Sequence, residues 1–426
     1  MMNLLVVGGG GREHAIIKKL KENPAVDTIY ALPGNGGIAA DAVCVPEIGA
    51  TNIDAIVAFA QTHAIDFAVV APDDPLAMGC VDRLHAMGIP CFGPNAAAAR
   101  IEASKVFSKN LMKKYGIPTA AYEVFDDPAK ALAYLKTQSF PIVIKADGLA
   151  LGKGVLIPQS LAEAEEAVKS IMEDKAFGDS GNQIVIEEFL TGPEVSVLAF
   201  TDGTAIAPMI SSMDHKRVGD GDTGLNTGGM GTIAPNPCYT PEVAQVCMDT
   251  IFLPTLAAMR AEGCPFKGCL YFGLMVTPNG PKVIEYNCRF GDPETQVVLP
   301  LLKTDLLTVM QAVENETLGD LTVEWKDETA ACVILASGGY PSSYEKGKPI
   351  AFPETFPENI TCYHAGTKLA GDQIVTSGGR VLGITAVAPT LKAALADAYA
   401  AADTITFEKK YQRNDIGHRA LAMMEE

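Results

Sequence analysis

Short aliphatic runs at residues 4–7, 28–32, 42–45, 67–71 and 90–92 alternate with helix-length segments through the first hundred positions. Strands alternating with helices in this way predict a parallel, doubly wound sheet. Residues 104–115 then read as a helix, stopped by Gly116-Ile117-Pro118. Beyond it the pattern changes. Strand signals at 140–145, 155–158, 183–189 and 194–200 come with turn residues such as Asp202-Gly203, as an antiparallel sheet flanked by helices requires. A helix-rich stretch at 240–262 leads into strands at 269–276 and 282–286, joined by the turn Pro278-Asn279-Gly280. From about residue 328, short strands at 331–336 and 380–388 precede an alanine-rich helix at 391–402. The expected fold class is therefore mixed: an N-terminal doubly wound α/β domain (1–103), a central α+β domain (104–325) and a small C-terminal α+β domain (326–426).

Composition narrows the function. Of 426 residues, 33 are Lys or Arg and 51 are Asp or Glu, a formal charge of −18. Such a surface repels nucleic acid and anionic lipid, so neither is an expected partner. It also makes any Lys or Arg at a loop or element end more informative than in a neutral chain. The ten cysteines form no C-x-x-C pair and have no nearby histidine cluster, which suits reduced thiols better than a disulfide framework or zinc site. The first residues lack a basic n-region, and no apolar run approaches the roughly 18 residues of a membrane span. A cytoplasmic protein is expected, with no further enzyme fused behind it.

Gly8-Gly9-Gly10-Gly11-Arg12-Glu13-His14 follows the first strand. Backbone amides at a helix start behind glycines make an anion pocket. A dinucleotide fingerprint fails here, because Glu13 or His14 falls where the third glycine should be and the second strand ends without an acid for a ribose. A second cluster, Pro33-Gly34-Asn35-Gly36-Gly37, ends the next strand on the same sheet edge, so a smaller phosphorylated ligand is expected there.

In the central part, Lys145 ends an apolar strand and opens Ala146-Asp147-Gly148-Leu149-Ala150-Leu151-Gly152-Lys153-Gly154, a glycine loop able to fold over phosphates. Lys105 opens a helix. Ile184-Val185-Ile186-Glu187-Glu188-Phe189-Leu190 followed by Gly192-Pro193-Glu194 suits a hinge that reads an adenine edge and a ribose. In Glu285-Tyr286-Asn287-Cys288-Arg289-Phe290-Gly291-Asp292-Pro293-Glu294, alternation puts Glu285, Asn287 and Arg289 on one strand face. A carboxylate and an amide oxygen side by side suit a hard cation that keeps nucleotide phosphates as its other ligands. Residues 211–231, with Asp214-His215-Lys216-Arg217 and Asn226-Thr227-Gly228-Gly229-Met230-Gly231, read as one long functional loop bordering the site.

Together these residues resemble the ATP-grasp superfamily and, within it, the phosphoribosylamine-glycine ligase (glycinamide ribonucleotide synthetase) family, over essentially the whole chain. The most specific match is Arg289-Phe290-Gly291-Asp292-Pro293-Glu294. One departure is Ala71-Pro72-Asp73-Asp74-Pro75-Leu76, where the family usually has glycine first and glutamate in place of an aspartate. The resemblance implies a two-lobed ATP-grasp centre between a substrate domain and a closing C-terminal domain. It implies ATP held by Lys105, Lys145, Gly152, Glu187, Glu188, Phe189, Leu190 and Glu194, and Mg2+ or Mn2+ held by Glu285 and Asn287. It further implies glycine and 5-phosphoribosylamine held by Gly9, Gly10, Gly11, Asn35, Gly36, Asp74, Asp214, Lys216, Gly229, Arg289 and Asp292, with Arg289, Lys145 and Asp214 catalytic. The expected reaction is ligation through glycyl phosphate in purine biosynthesis by a monomer; another ATP-grasp carboxylate-amine ligase is the alternative.

Overall fold

In the computed structural model, which describes residues 1–149 and 154–425, the N-terminal segment is a five-stranded parallel sheet. Its strands run in the spatial order Val43–Cys44, Val26–Pro33, Met2–Gly8, Phe67–Val70, Cys91–Phe92. Leu4, Leu5, Val6 and Val7 have no exposed surface because helices and neighbouring elements cover both faces. Leu5 and Val7 face one core with Val57, Leu84 and Ile101, while Leu4 and Val6 face another with Ile16, Leu20 and Val309. Strand order reverses between Met2–Gly8 and Phe67–Val70, so the loops after these two strands flank a crevice at the carboxyl edge.

The helix Lys105–Tyr115 starts where Ser104 Oγ accepts from the Phe107 amide at 3.0 Å and stops at Gly116, whose φ of +68° suits glycine. Two antiparallel four-stranded sheets follow. The first orders Tyr122–Phe125, Ile184–Glu188, Ile142–Ala146 and Val155–Leu156; the second orders Ile206–Pro208, Glu194–Asp202, Lys267–Thr277 and Gly280–Asn287. The predicted helical stretch at 240–262 is Pro241–Cys247 and Leu253–Ala261 joined by one π-helical turn.

The C-terminal sheet corrects one expectation. Residues 211–231 are not a structureless loop: Met213–Asp214 and Gly231–Ala234 are strands of the C-terminal sheet, and Arg217–Gly219 pairs with Thr223–Asn226 as a hairpin. Glycine density concealed the short strands. Gly231–Ala234 pairs with Thr329–Ser337, which pairs with Arg380–Ala388, followed by Ile360–His364. The helix Leu391–Asp403 lays Ala394, Ala398 and Ala402 against this sheet, small side chains that allow close approach. The chain after it returns to clamp the hairpin: Arg413 bonds Asp222, Asp415 and the Arg217 carbonyl.

Candidate active site

The central cleft is built around the last strand of the second antiparallel sheet. A β-bulge at Ile284 leaves that residue without a partner across the ladder, and its carbonyl accepts from Lys145 Nζ at 2.9 Å. Lys145, 4% exposed, arrives from the other sheet and also lies 3.0 Å from Glu187 Oε1. On the far side of Glu187, Lys109 Nζ is 2.9 Å from Oε2 and donates to Thr119 Oγ1 at 2.7 Å. Burial pulls the Lys109 ammonium down to about 8, with Lys145 adding repulsion and Glu187 resisting both.

This geometry refines the expectation for Glu187. Its buried carboxylate lies between Lys109 and Lys145, so its side chain sits against two cations and its backbone is the part available at the hinge. The strand is buried on both faces, which removes the polar alternation that would have shown the side chain's direction. Glu188 accepts from the Ala121 amide at 3.0 Å and pairs with Lys282 at 3.1 Å. Phe189, 40% exposed, presents an aromatic face at the hinge. Gly152, with Lys153, lies outside the described residues; Gly148, just before them, accepts from Lys105 Nζ at 2.7 Å through its carbonyl.

Cations converge on Glu285. Burial alone would raise its carboxyl, but Lys216, Lys145, Lys105 and Arg289 outweigh this and hold it below the usual range. Lys216 Nζ stands 3.0 Å from Glu194 Oε2 and 3.7 Å from Glu285 Oε1, bridging the expected ribose acid and the expected metal acid. The Asn287 amide, assigned the orientation that satisfies its neighbours, sets its nitrogen 2.9 Å from Glu102 Oε1. The carboxylate of Glu285 and the amide oxygen of Asn287 are hard donors, and among the described residues no cluster of three or more His, Cys, Asp or Glu offers another cation site. Two protein oxygens with room for phosphates fit a magnesium-type ion.

Arg289 differs from expectation in its support. The strand Gly280–Asn287 ends two residues earlier, so the shared face does not extend to it. The guanidinium is held instead by Glu102, whose Oε1 lies 2.9 Å from Nη2. Despite burial, Glu102 and Asp73 keep it firmly charged. Glu102 and Asp73 are functional candidates that the sequence did not single out. Glu102 sits in an alanine-rich helix, where an acid looks like ordinary surface, and Asp73 was passed over for its neighbour. Asp74 itself is exposed, its carboxyl raised by burial of part of the group and by Asp73.

At the carboxyl edge of the parallel sheet the glycines serve close approach. A side chain on Gly9 would strike the Gly34 carbonyl, and one on Gly11 would come within 2.5 Å of Gln296 Nε2. The Gly10 amide is already taken by Glu13 Oε2 at 2.6 Å, which corrects the expectation of a fully open amide nest. Asn35 is also reassigned. Its Nδ2 donates to the carbonyls of Gly9 (3.0 Å) and His364 (2.8 Å), and its Oδ1 accepts from the amides of Gly37 and Ile38 at 2.9 Å each. Its side chain has no capacity left for a ligand. The Gly36 amide likewise bonds the Thr367 carbonyl at 3.2 Å, so this turn joins the first sheet to the C-terminal part.

A third group closes the site from the C-terminal side. Asp292 Oδ1 accepts from Gln296 at 2.7 Å; burial would raise the Asp292 carboxyl, but Arg380, Arg12 and Gln296 together hold it low. Gly229, at φ +115°, lies against Asp214 and Pro293, each 2.5 Å from where a Cβ would sit. Burial, reinforced by Glu294, pushes the Asp214 carboxyl well up. The expected residues Asp214, Lys216, Gly229, Glu285, Arg289 and Asp292 thus belong to one connected region.

The chain matches the phosphoribosylglycinamide synthetase N domain over residues 2–102, its ATP-grasp (A) domain over 103–295 and its C domain over 330–419. A phosphoribosylamine-glycine ligase of Vibrio vulnificus is 46% identical over 424 residues, with 99% of each chain covered. A bifunctional purine biosynthetic protein of Pichia angusta is 49% identical over 425 residues; the chain spans about half of it, 54% of its length. The crystal structure of phosphoribosylamine-glycine ligase from Thermotoga maritima superposes with a TM-score of 0.86 at 35% identity, over 97% of this chain and 100% of that one. With all three domains matched and full-length relatives well above 30% identity, the chain belongs to the phosphoribosylglycinamide synthetase family.

Proposed function

We propose that the chain is a phosphoribosylamine-glycine ligase, joining glycine to 5-phosphoribosylamine with ATP to give glycinamide ribonucleotide, ADP and phosphate in purine biosynthesis. The observation that carries this reading is the convergence of Lys105, Lys145, Lys216 and Arg289 on Glu285, a local cationic cleft in a protein of net charge −18. In this scheme residues 1–103 receive the phosphoribosyl group, 104–325 the nucleotide, and 326–426 close the cleft.

The carboxylate of glycine attacks the γ-phosphorus, forming an acyl O–P bond as the bond to ADP breaks. Lys105 and Lys145 neutralise the phosphate oxygens, and the backbone of 187–190 with Phe189 receives the adenine. Glu285 and Asn287 would hold Mg2+ or Mn2+, which when bound supplies charge compensation at the transferring phosphoryl group. The amine of phosphoribosylamine then attacks the acyl carbon and phosphate leaves. Asp214, its affinity for protons raised by burial, accepts the proton that the attacking amine loses. Arg289 aligns the phosphoryl oxygens through two N–H groups, and the loops at 9–11, 35–36, 74 and 292 shape the phosphoribosyl pocket.

The scheme is written for a monomer, and the phosphorylated substrates support a cytoplasmic location. The test is ADP release from ATP, Mg2+ and glycine, with and without phosphoribosylamine. Glycine-dependent ADP formation that rises with phosphoribosylamine is expected; formation indifferent to both would overturn the assignment.

A further inference from the structure

Glu102 is 8% exposed and lies in the last turn of the helix Ala96–Ala103, three residues before Lys105, which opens the next helix. Its two oxygens meet three consecutive residues. Oε1 lies 2.9 Å from Arg289 Nη2 and, with the Asn287 amide assigned the orientation that satisfies its neighbours, accepts from Asn287 Nδ2 at 2.9 Å, while Oε2 accepts from the Cys288 backbone amide at 2.7 Å. These residues need such support, because the ladder that fixes Glu285 ends at Asn287. Beyond Glu102, the Arg289 guanidinium has only a 3.4 Å bond from Nη1 to the Phe290 carbonyl, and Nε has no partner among the described residues. The Asn287 amide could otherwise rotate and offer its NH2 where an oxygen is wanted.

We infer that Glu102 is a positioning residue: one buried carboxylate that orients the amide oxygen of Asn287 toward the cation and fixes the Arg289 guanidinium beside it. Metal binding and substrate alignment are then set together from the joint between the first sheet and the nucleotide lobes. The inference deepens the proposed function and rests on its assignment of Asn287 to the cation. An ionised carboxylate is required chemically, since all three partners are N–H donors and a Gln side chain would aim its own NH2 at one of them.

The test is Mn2+ binding to the full-length protein with ADP, followed by electron paramagnetic resonance, in wild type, Glu102→Gln and Glu102→Asp. Loss of a partner that orients a metal ligand costs about 10- to 100-fold in affinity or activity. Glu102→Gln should therefore bind Mn2+ about 10- to 100-fold more weakly, with ADP affinity measured without metal unchanged. Glu102→Asp, which keeps the charge, should fall between. A parallel rise in the KM for phosphoribosylamine is expected from Arg289. Wild-type Mn2+ affinity in folded Glu102→Gln, or in Glu102→Asp if the Gln variant does not fold, would overturn the inference. Failure of the proposed function shows differently: the wild type itself would lack glycine-dependent ADP release.

Discussion

Arg380, on a strand of the C-terminal sheet, donates from Nη1 to the backbone carbonyl of Asp292 at 2.7 Å while its Nη2 stands 3.5 Å from the Asp292 carboxylate. The same Nη1 reaches the Gly228 carbonyl at 2.7 Å. One guanidinium thus ties the Gly228-Gly229 segment to the Asp292 turn. Lysine cannot span these acceptors with a single ammonium. Arg380→Lys is expected to lose about 1.5–3 kcal/mol of transition-state stabilisation, the scale of a hydrogen bond to a charged group, seen as a roughly 10- to 100-fold fall in kcat/KM for phosphoribosylamine. The KM for ATP should stay close to wild type, because Lys105 opens the helix Lys105–Tyr115 and Lys145 lies in the first antiparallel sheet.

Glu285→Ala removes the carboxylate that four cations surround. Glycine-dependent ADP formation should vanish while the circular dichroism spectrum and urea midpoint remain near wild type. Arg289→Ala should cost about 3–4 kcal/mol in kcat/KM if it acts on the phosphoryl group as an oxyanion donor does. An unchanged kcat/KM would reject that role.

Asn35→Ala deletes four hydrogen bonds, two that join the second glycine turn to Gly9 and His364 and two that brace the turn itself at Gly37 and Ile38. At about 0.5–1.5 kcal/mol net for each, the stability loss should be roughly 2–4 kcal/mol after partial rehydration, read from urea unfolding. Asn35→Asp, which keeps the acceptor but loses both donors, should lie between. Activity per folded molecule should change much less than stability.

Acid should unfold the protein through its buried histidines. Burial lowers His215 to about 4 and His364 to about 3, against an unfolded value near 6.5. His215 is locked neutral: its Nε2 accepts from the Gly417 amide at 3.1 Å and its Nδ1 faces the Gly231 carbonyl at 3.0 Å. Below pH 6.5 the unfolded chain binds protons that the folded one refuses, so stability present at pH 7 is lost as pH falls toward 4. The slope per histidine is about 1.4 kcal/mol per pH unit. Urea midpoints between pH 8 and 4.5 should be flat above 7 and fall below 6, and His215→Asn should flatten the slope by about one proton.

Much of this arrangement was legible because chemistry and periodicity agreed. The parallel strands are uninterrupted aliphatic runs, and Lys145 ends such a run, where a cation needs a partner. Glu285 and Asn287 alternate on a strand that forms as expected. What escaped notice depends on tertiary contact. Glu102 and Lys109 look like ordinary helix surface until Cys288 and Arg289 meet the first and Glu187 the second. Glu187 sits in a strand buried on both faces, so alternation carried no information about which way its carboxylate turns. Asn35 belongs to a glycine turn that could equally face a ligand or another part of the chain.

The strands Met213–Asp214 and Gly231–Ala234 complete a sheet whose other members come from residues after 328. The linear order of the chain is therefore not its order of assembly. A chimera joining two relatives at residue 326 would pair a borrowed edge with a foreign sheet. The exchangeable piece is discontinuous, 211–236 together with the C-terminal segment, and substitutions in one half should be compensated in the other.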